Sequence, residues 1–266
     1  EIIGPVSLRT GVQATLSKPA SLKIDSLFVD RLHFNDYDYS GLKAVGLLSE
    51  NMFNGTIIAN DPSLNAWLQG GFALSAKTHN ARYKFYANIE DADLNALNID
   101  KRGRSKIRFS TNANFTKRGN GNILGDIDIA DLRFTNRDST TNIGNINLTS
   151  HSSDNVYKMR LRSQFAEGSF NGTAPITQFA KDLISLTARA ELPALFVSEA
   201  DKWKENSYSL NIYTHDTWKI LAFLMPGAYI NKGTSLDVRI GSDGHLDASL
   251  NSERIAMKTN NLQDIS

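Results

Sequence analysis

The chain lacks cysteine, any long apolar run and any excess of charge, and each absence excludes a class of protein. With no cysteine among 266 residues, disulfides, thiol nucleophiles and cysteine-ligated metals are excluded. No apolar stretch reaches the ~20 residues that a membrane-spanning helix needs. The net charge of +1 gives no basic field for nucleic acid. A hydrophobic content of 41% is enough to bury a sizeable core, so disorder is not indicated.

No secretory signal peptide is recognisable at the start of the sequence, which begins with Glu1. We expect the sequence to be an internal segment of a longer protein, with any membrane anchor outside it. In a bacterium, the absence of cysteine is compatible with either the cytoplasm or the periplasm.

Apolar and polar residues alternate along most of the chain. In residues 81–100, ARYKFYANIEDADLNALNID, the side chains of Tyr83, Phe85 and Ile89 fall on one side of an extended chain, and Lys84 falls on the other. The same period of two recurs at 53–59, 64–74, 107–115, 123–129, 157–165, 186–190, 208–212, 236–240 and 246–250. Runs of Asn, Asp, Gly and Ser between these segments are typical of hairpin turns. The sequence therefore predicts a mainly β protein, in which an antiparallel sheet has one apolar, dry face and one polar, wet face.

Three segments are predicted to be helical. Apolar residues from Ile176 to Ile184 recur at i, i+3, i+4, i+7 and i+8, with Pro175 at the first turn, which is typical of an amphipathic helix. Shorter helices are predicted at 198–205 and 216–225, where possible capping residues precede apolar ones.

These helices divide the sequence into three regions. A β region at 1–172 is followed by a mostly helical insertion at 173–230 and by continuing, truncated strands at 231–266. We expect the helices to cover the open sheet and not to contact a membrane, because none has a Lys/Arg-rich face opposite a wide apolar one.

Catalytic and metal-binding motifs are not recognisable. The five histidines are scattered, and none has a partner at ligand spacing. The glycines at 119–125 have the wrong spacing for a dinucleotide-binding loop. The carboxylates at 90–93 and the basic run at 101–106 are typical of solvated turns. We therefore expect no enzymatic activity, no cofactor and no bound metal.

Five weak motifs occur in an order that is more specific than any of them alone. They are GLKAVGLLSENMFNGTIIANDPSLNAWLQGG at 41–71, DLNALNI at 93–99, GNILGDIDI at 121–129, QFAEGSFNGTAPITQFAKDLISLTARAELPAL at 164–195 and MPGAYINKGT at 225–234. This series resembles the TamB (translocation and assembly module) branch of the AsmA-like superfamily, in its Bacteroidetes-type form. The resemblance covers most of the chain.

The resemblance implies a long, curved antiparallel sheet that is open on one side, called a β-taco or repeating β-groove, with a small helical insertion. It implies a periplasmic segment of a protein anchored in the inner membrane of a Gram-negative bacterium. The apolar groove would conduct phospholipid, held by its acyl chains, toward the outer membrane. An outer-membrane barrel partner of the TamA type is also implied, and the family has no catalytic residues.

On this interpretation, the dry face lines the lipid groove. Alternation alone favours a closed sandwich core built from the same residues, and the resemblance reverses that preference. Moving acyl chains out of water gains about 0.8 kcal/mol per CH₂, so a continuous slot would let a lipid slide without a deep trap. The expected groove-lining residues are Tyr83, Phe85, Ile89, Ile107, Phe109, Ile127, Ile129, Met159 and Leu161.

Two other functions remain open at this point. A scaffold or chaperone could assist the assembly of outer-membrane β-barrel proteins by β-augmentation, through hydrogen bonding at sheet edges. An unrelated carbohydrate-active or adhesive protein, such as a β-helix, would need stacked repeats of constant length, and the strand spacings here are too uneven.

Overall fold

The computed structural model describes residues 3–16, 20–73, 80–119, 122–136, 139–191, 205–257 and 260–265. The strands are β1 Ile3–Thr15, β2 Ser21–Phe34, β3 Tyr37–Tyr39, β4 Leu42–Ser49, β5 Met52–Asp61, β6 Leu64–Ala73, β7 Ala81–Asp93, β8 Ser105–Lys117, β9 Ile123–Asn136, β10 Ser139–Ser153, β11 Val156–Ser163, β12 Ala166–Gly172, β13 Tyr208–Thr214, β14 Ala228–Ile230, β15 Ser235–Ile240, β16 Leu246–Met257 and β17 Asn260–Ile265. The helices are α1 Ile176–Glu191 and α2 Trp218–Leu224.

The strands form one 17-stranded antiparallel sheet that is not closed within the described residues. Pairing mostly follows chain order, as the short turns predict, because two-residue connections join antiparallel neighbours. Three pairings skip a short element: β2 with β4, β13 with β15, and β14 with β16. The predicted fold class, a mainly β protein with an open antiparallel sheet and a small helical part, is confirmed.

The chain divides into two compact units. Unit 1 comprises Glu1–Gly119 and Ile127–Asn145, and unit 2 comprises Asn120–Asp126 and Ile146–Ser266. The region 173–230, predicted as a mostly helical insertion, contains α1, β13, α2 and β14. Its boundaries as a separate domain stay a prediction.

The dry face of unit 1 is built from rows of side chains in register across neighbouring strands. One row runs Phe53–Phe72–Tyr83–Phe115 from β5 to β8. Directly opposed residues on antiparallel strands lie on the same face, so the period-two pattern of each strand reinforces that of the next. The intervening positions, such as Lys84, are exposed.

Three glycines form a second row on the dry face, which we call the crease. Gly46, Gly55 and Gly70 oppose one another on β4, β5 and β6. A Cβ on Gly55 would lie 2.7 Å from the Cα of Gly46, and one on Gly70 would lie 2.8 Å from the Cβ of Phe85. Such distances leave no room for a side chain, so adjacent backbones approach closely along this line. Glycine in a strand interior is typical of such a close approach between backbones.

Substitution at the crease should destabilise the protein far more than substitution beside it. We expect Gly55→Ala to lower the free energy of unfolding by at least ~1–3 kcal/mol, because its methyl group overpacks against backbone. Gly71→Ala is the matched control, since its Cβ would meet only the side chain of Asn54, at 3.3 Å. Urea unfolding followed by circular dichroism measures both. Equal stabilities of the two variants would contradict a close-packed crease.

In unit 2, a helix covers the dry face. Phe179 of α1 is 4% exposed and packs against Phe170 of β12 and Tyr208 of β13, with ring centroids 5.7 and 5.3 Å apart. Val238 and Ile240 of β15 complete this buried cluster. The amphipathic pattern that predicts a helix from Ile176 therefore also marks the face of α1 that lies on the sheet.

The three predicted helices have different outcomes. The first corresponds to α1, which begins directly after Pro175. The third, at 216–225, corresponds to α2, whose N-cap is Thr217. The Thr217 hydroxyl donates to the carbonyl of Ile230 at 2.6 Å. The segment 198–205 lies outside the described residues except for its last position.

Candidate apolar ligand cavity

Unit 1 holds a cavity of about 670 Å³ on its dry face, within the 300–1,000 Å³ typical of ligand pockets. The cavity is lined by aliphatic and aromatic side chains from β2 to β8, and among the described residues its hydroxyl-bearing side chains are all tyrosines. The lining residues are Leu32, Phe34, Tyr39, Leu42, Ile57, Ala59, Leu64, Ala66, Leu68, Phe72, Tyr83, Phe85, Ile89 and Phe115.

The cavity follows the strands across the crease. On β7 its lining extends from Tyr83 to Ile89, and on β6 from Leu64 to Phe72. Six to eight residues of strand correspond to about 20 to 26 Å of contour at ~3.3 Å per residue. On β6 the lining therefore extends to both sides of Gly70 in the crease.

The structure distributes the nine predicted groove residues over both units. Tyr83, Phe85 and Ile89 line the cavity. Phe109 opposes Ile89, and Ile107 opposes Ala92, so both extend the same rows on β8, beyond the cavity lining.

The other four predicted residues lie apart from this cavity. Ile127 and Ile129 are half-buried on β9 of unit 1. Met159 and Leu161 belong to unit 2, where Met159 opposes Phe170 and packs against the buried cluster under α1. That all nine predicted residues line one continuous groove therefore stays a prediction.

An aromatic row forms one wall of the cavity. The rings of Tyr83 and Phe115 stack with centroids 4.8 Å apart and planes 18° apart. Phe72 contacts Phe53 at 5.2 Å in a tilted arrangement. Rings in this register make a smooth apolar surface, on which the Tyr83 hydroxyl is the hydrogen-bonding group.

The opposite end of the cavity is bounded by the β2–β3 hairpin, which we call the hairpin end. Leu32, Phe34 and Tyr39 of this hairpin line the cavity. Burial first, and then the negative charge of Asp61, raise the pKa of the Tyr39 hydroxyl, so this tyrosine is neutral at pH 7.

Two asparagines fasten the hairpin end to the β7–β8 loop. The Asn35 side-chain amide donates to the carbonyl oxygens of Leu97 and Asn98, at 3.1 and 3.3 Å. The Asn98 amide donates back to the carbonyls of Asn35 and Asp36, both at 3.1 Å. In the sheet, β2 and β7 are separated by β4, β5 and β6, about 19 Å at ~4.8 Å per strand step. These reciprocal bonds hold the two segments together across that interval.

Both asparagines occupy the left-handed region, with φ of 53° for Asn35 and 58° for Asn98, a conformation that asparagine tolerates better than most residues. Sequence reasoning identified DLNALNI only as part of a resemblance and missed this contact. The Asn35-Asp36 pair between two β segments did mark a tight turn, but it does not indicate which segment that turn contacts.

Asp61, at the β5–β6 turn, is buried and ties the hairpin end together. Its carboxylate accepts hydrogen bonds from the Tyr37 hydroxyl at 2.5 Å, the Ser40 N–H at 2.8 Å, the Ser40 hydroxyl at 3.0 Å and the Ser63 N–H at 2.8 Å. Burial raises the pKa of this carboxyl, but the hydrogen bonds from Tyr37, Ser63 and Ser40 outweigh burial, and the net pKa is lowered. Asp61 is therefore ionised at neutral pH.

Asp100, in the β7–β8 loop, has a similar but stronger shift. Its carboxylate pairs with the Arg102 guanidinium at 2.8 and 2.9 Å. The hydrogen bond from Arg102, against an opposing contribution from burial, lowers the pKa of Asp100 to about 2. The negatively charged 90–93 segment is likewise engaged in local contacts, for example Asp91 with Lys106 at 2.7 Å.

Because the pKa values of Asp61 and Asp100 are lower in the folded chain than the ordinary ~3.9 of an unfolded one, their stabilising effect is present above about pH 4. It is lost as the pH falls through the folded-state values, toward about 2 for Asp100. We expect Asp61→Asn to lose about 1–3 kcal/mol of stability at pH 7 and less at pH 3. Urea unfolding at both pH values measures this difference.

The exposed Asp25 supplies the control for that experiment. Asp25→Asn should change the free energy of unfolding by less than ~0.5 kcal/mol at pH 7. An Asp61→Asn deficit that is the same at pH 3 as at pH 7 would show that the carboxylate charge is not what stabilises the hairpin end.

In unit 2 the corresponding face is closed by α1, which is held by a buried carboxylate. Asp182 of α1 accepts hydrogen bonds from the Tyr208 hydroxyl at 2.6 Å, the Asn206 amide at 3.0 Å and the Gln178 amide at 2.7 Å. Burial, and then the bond to Asp182, strongly raise the pKa of Tyr208. The dry face under α1 is thus a packed core and not an open surface.

Truncating the side chain that α1 inserts into the sheet should open this core. Phe179→Ala is expected to cost about 3–5 kcal/mol of stability and to increase the fluorescence of the apolar dye ANS. Ile184→Ala on the same helix is the control, because Ile184 is 69% exposed and should change stability by less than ~0.5 kcal/mol. If both variants matched the unaltered protein, α1 would not be a cover for the sheet.

Groups with catalytic potential are sparse in the described part of the chain. His33 contacts Asp38 at 2.8 Å and His215 contacts Glu167 at 3.2 Å, contacts that the sequence spacing did not reveal. No cluster of three or more His, Cys, Asp or Glu side chains suited to a metal occurs among the described residues. In the same residues, neither helix has the length and apolar character required to cross a bilayer.

Comparison with known proteins leaves the chain without an assigned family, since no family model, curated protein or solved structure matches it. The resemblance to TamB therefore stays a prediction.

Proposed function

We propose that the chain binds lipid acyl chains in the apolar cavity of unit 1. The observation that carries this proposal is a cavity of about 670 Å³ with an apolar lining on the dry face of a sheet that is not closed. A ligand site usually combines an apolar lining with a few polar groups that select and orient the ligand. This lining offers almost none, which fits a hydrocarbon chain.

The dimensions of the cavity also fit an acyl chain. The lining follows about 20 to 26 Å of strand contour, whereas the acyl chains of one leaflet span about half of the ~30 Å hydrocarbon core of a bilayer. Each CH₂ that enters the cavity gains about 0.8 kcal/mol. The aromatic wall and the aliphatic lining provide similar burial at successive positions, so a chain could move along the cavity without a large barrier.

The wider proposal extends this binding to transport. On the resemblance described above, the chain is a periplasmic segment of an inner-membrane-anchored envelope protein that conducts phospholipid toward the outer membrane, together with a TamA-type barrel partner. The packing of α1 in unit 2 bears on this proposal. A lipid could use the dry face beneath α1 only if the helix were displaced from Phe170 and Tyr208. Lipid binding is therefore assigned to unit 1.

A charge placed in the cavity should abolish acyl-chain binding without unfolding the protein. Phe85 is half-buried and lines the cavity, so in Phe85→Asp the carboxylate can stay hydrated at the open side while it repels hydrocarbon. Tyr86→Asp is the matched control, because Tyr86 is the next residue, lies on the wet face and is 42% exposed. We expect at least ten-fold weaker binding of a fluorescent acyl probe for Phe85→Asp only.

Circular dichroism and urea unfolding of the same variants separate the possible results. A folded Phe85→Asp protein that loses the probe supports the proposal. Unfolding of Phe85→Asp would mean that the face is a closed core. Unaltered probe binding in the folded variant would remove lipid binding from this cavity, and a scaffold that acts through sheet edges would become the better hypothesis.

A further inference from the structure

The two ends of the cavity carry opposite charges. The register that places Tyr83 opposite Phe115 also places Ala81 opposite Lys117, with no shift between these pairs. Lys117 therefore lies on the dry face, two residues beyond Phe115 of the cavity lining. It is half-buried, and Ala81 opposite it is 1% exposed.

Asp61 occupies the other end of the same face. It pairs with Leu64 of the cavity lining across the β5–β6 hairpin. Its carboxylate is ionised and is already engaged by Tyr37, Ser40 and Ser63. On the described dry-face positions of β4 to β8, Asp61 and Lys117 are the residues that bear a formal charge at neutral pH. One end of the cavity is thus negative and the other is positive.

This asymmetry specifies the kind of amphiphile and its direction, on the premise that the proposed function is correct. We propose that the cavity takes an acyl lipid with an anionic head, carboxylate or phosphate, placed at Lys117, and with its methyl end toward the hairpin end. A head group cannot enter the apolar lining without a large desolvation cost. At the hairpin end it would meet the Asp61 carboxylate, whereas at the other end it meets an ammonium group.

The separation of the charges suits this arrangement. Along β8, Lys117 lies two residues beyond Phe115, which is about 7 Å at ~3.3 Å per residue. A lysine side chain has a flexible four-carbon stem, so its ammonium group can reach a head group at the mouth while the acyl chain lies against the Tyr83–Phe115 stack.

The first experiment measures binding of palmitate, lysophosphatidate and neutral monopalmitoylglycerol to the whole chain, below their critical micelle concentrations, by displacement of a fluorescent acyl probe. For Lys117→Gln we expect binding of both anionic lipids to weaken about five- to ten-fold. Binding of monopalmitoylglycerol should not change. Lys84→Gln is the control, because Lys84 is exposed on the wet face of β7 and its substitution removes the same net charge.

The outcomes distinguish this inference from the proposed function. Equal weakening for palmitate and lysophosphatidate assigns Lys117 to anionic heads in general, and weakening for one of them identifies that head group. If all three lipids bind the Lys117→Gln protein as they bind the unaltered protein, acyl-chain binding stands and the role of Lys117 is overturned. If none binds the unaltered protein, both proposals are overturned.

A second experiment tests the direction of the acyl chain. Palmitate with a diazirine at its methyl end is crosslinked by light, and the modified peptides are identified by mass spectrometry. We expect crosslinks at Ala66, Leu68 and Ile89, on the hairpin side of the crease, because an acyl chain of about 15–20 Å that starts at the Lys117 ammonium group ends at that level. Crosslinks concentrated at Tyr83 and Phe115 would reverse the direction and overturn the inference even if Lys117→Gln weakened binding.

Discussion

The constraint on which the structure depends is that a sheet with period-two alternation has an apolar face, which must be shielded from water. Each strand presents apolar side chains every second residue, and the register between strands keeps these residues in continuous rows. A single sheet exposes such a face to water unless another layer covers it or the sheet bends around it. The two units of this chain shield their apolar faces from water in different ways.

Unit 2 covers its face with α1, whose Phe179 enters a cluster with Phe170 and Tyr208. Unit 1 instead brings neighbouring backbones close together at the crease and fastens its hairpin end through Asn35 and Asn98. The first solution gives an ordinary core. The second leaves an apolar cavity, whose lining comes from β2 to β8.

Alternation predicted most of the strands, the antiparallel pairing and the face on which Tyr83, Phe85 and Ile89 lie. It was wrong at 186–190, where the period of two falls inside α1, because the helical pattern that begins at Ile176 continues through this segment. Alternation could not predict the cavity, since the crease depends on Gly46, Gly55 and Gly70 being aligned across three strands, and register is invisible in a single strand. The Asn35–Asn98 contact joins residues far apart in sequence and was likewise inaccessible. For α1, helical periodicity predicted the helix, but only the packed structure shows which strands it covers.

The chemistry of the lining limits what kind of molecule can occupy unit 1. Because tyrosine is the only polar side chain among the described residues that line the cavity, a ligand with polar groups along its length would lose hydrogen bonds to water and regain almost none. A wholly apolar ligand would bind, but nothing would hold it at one position. A molecule with one apolar and one polar end satisfies both conditions, since its chain is buried while its head stays in water at the mouth. Selection among such molecules must then come from the charged residues at the two ends, Asp61 and Lys117, and not from the lining between them.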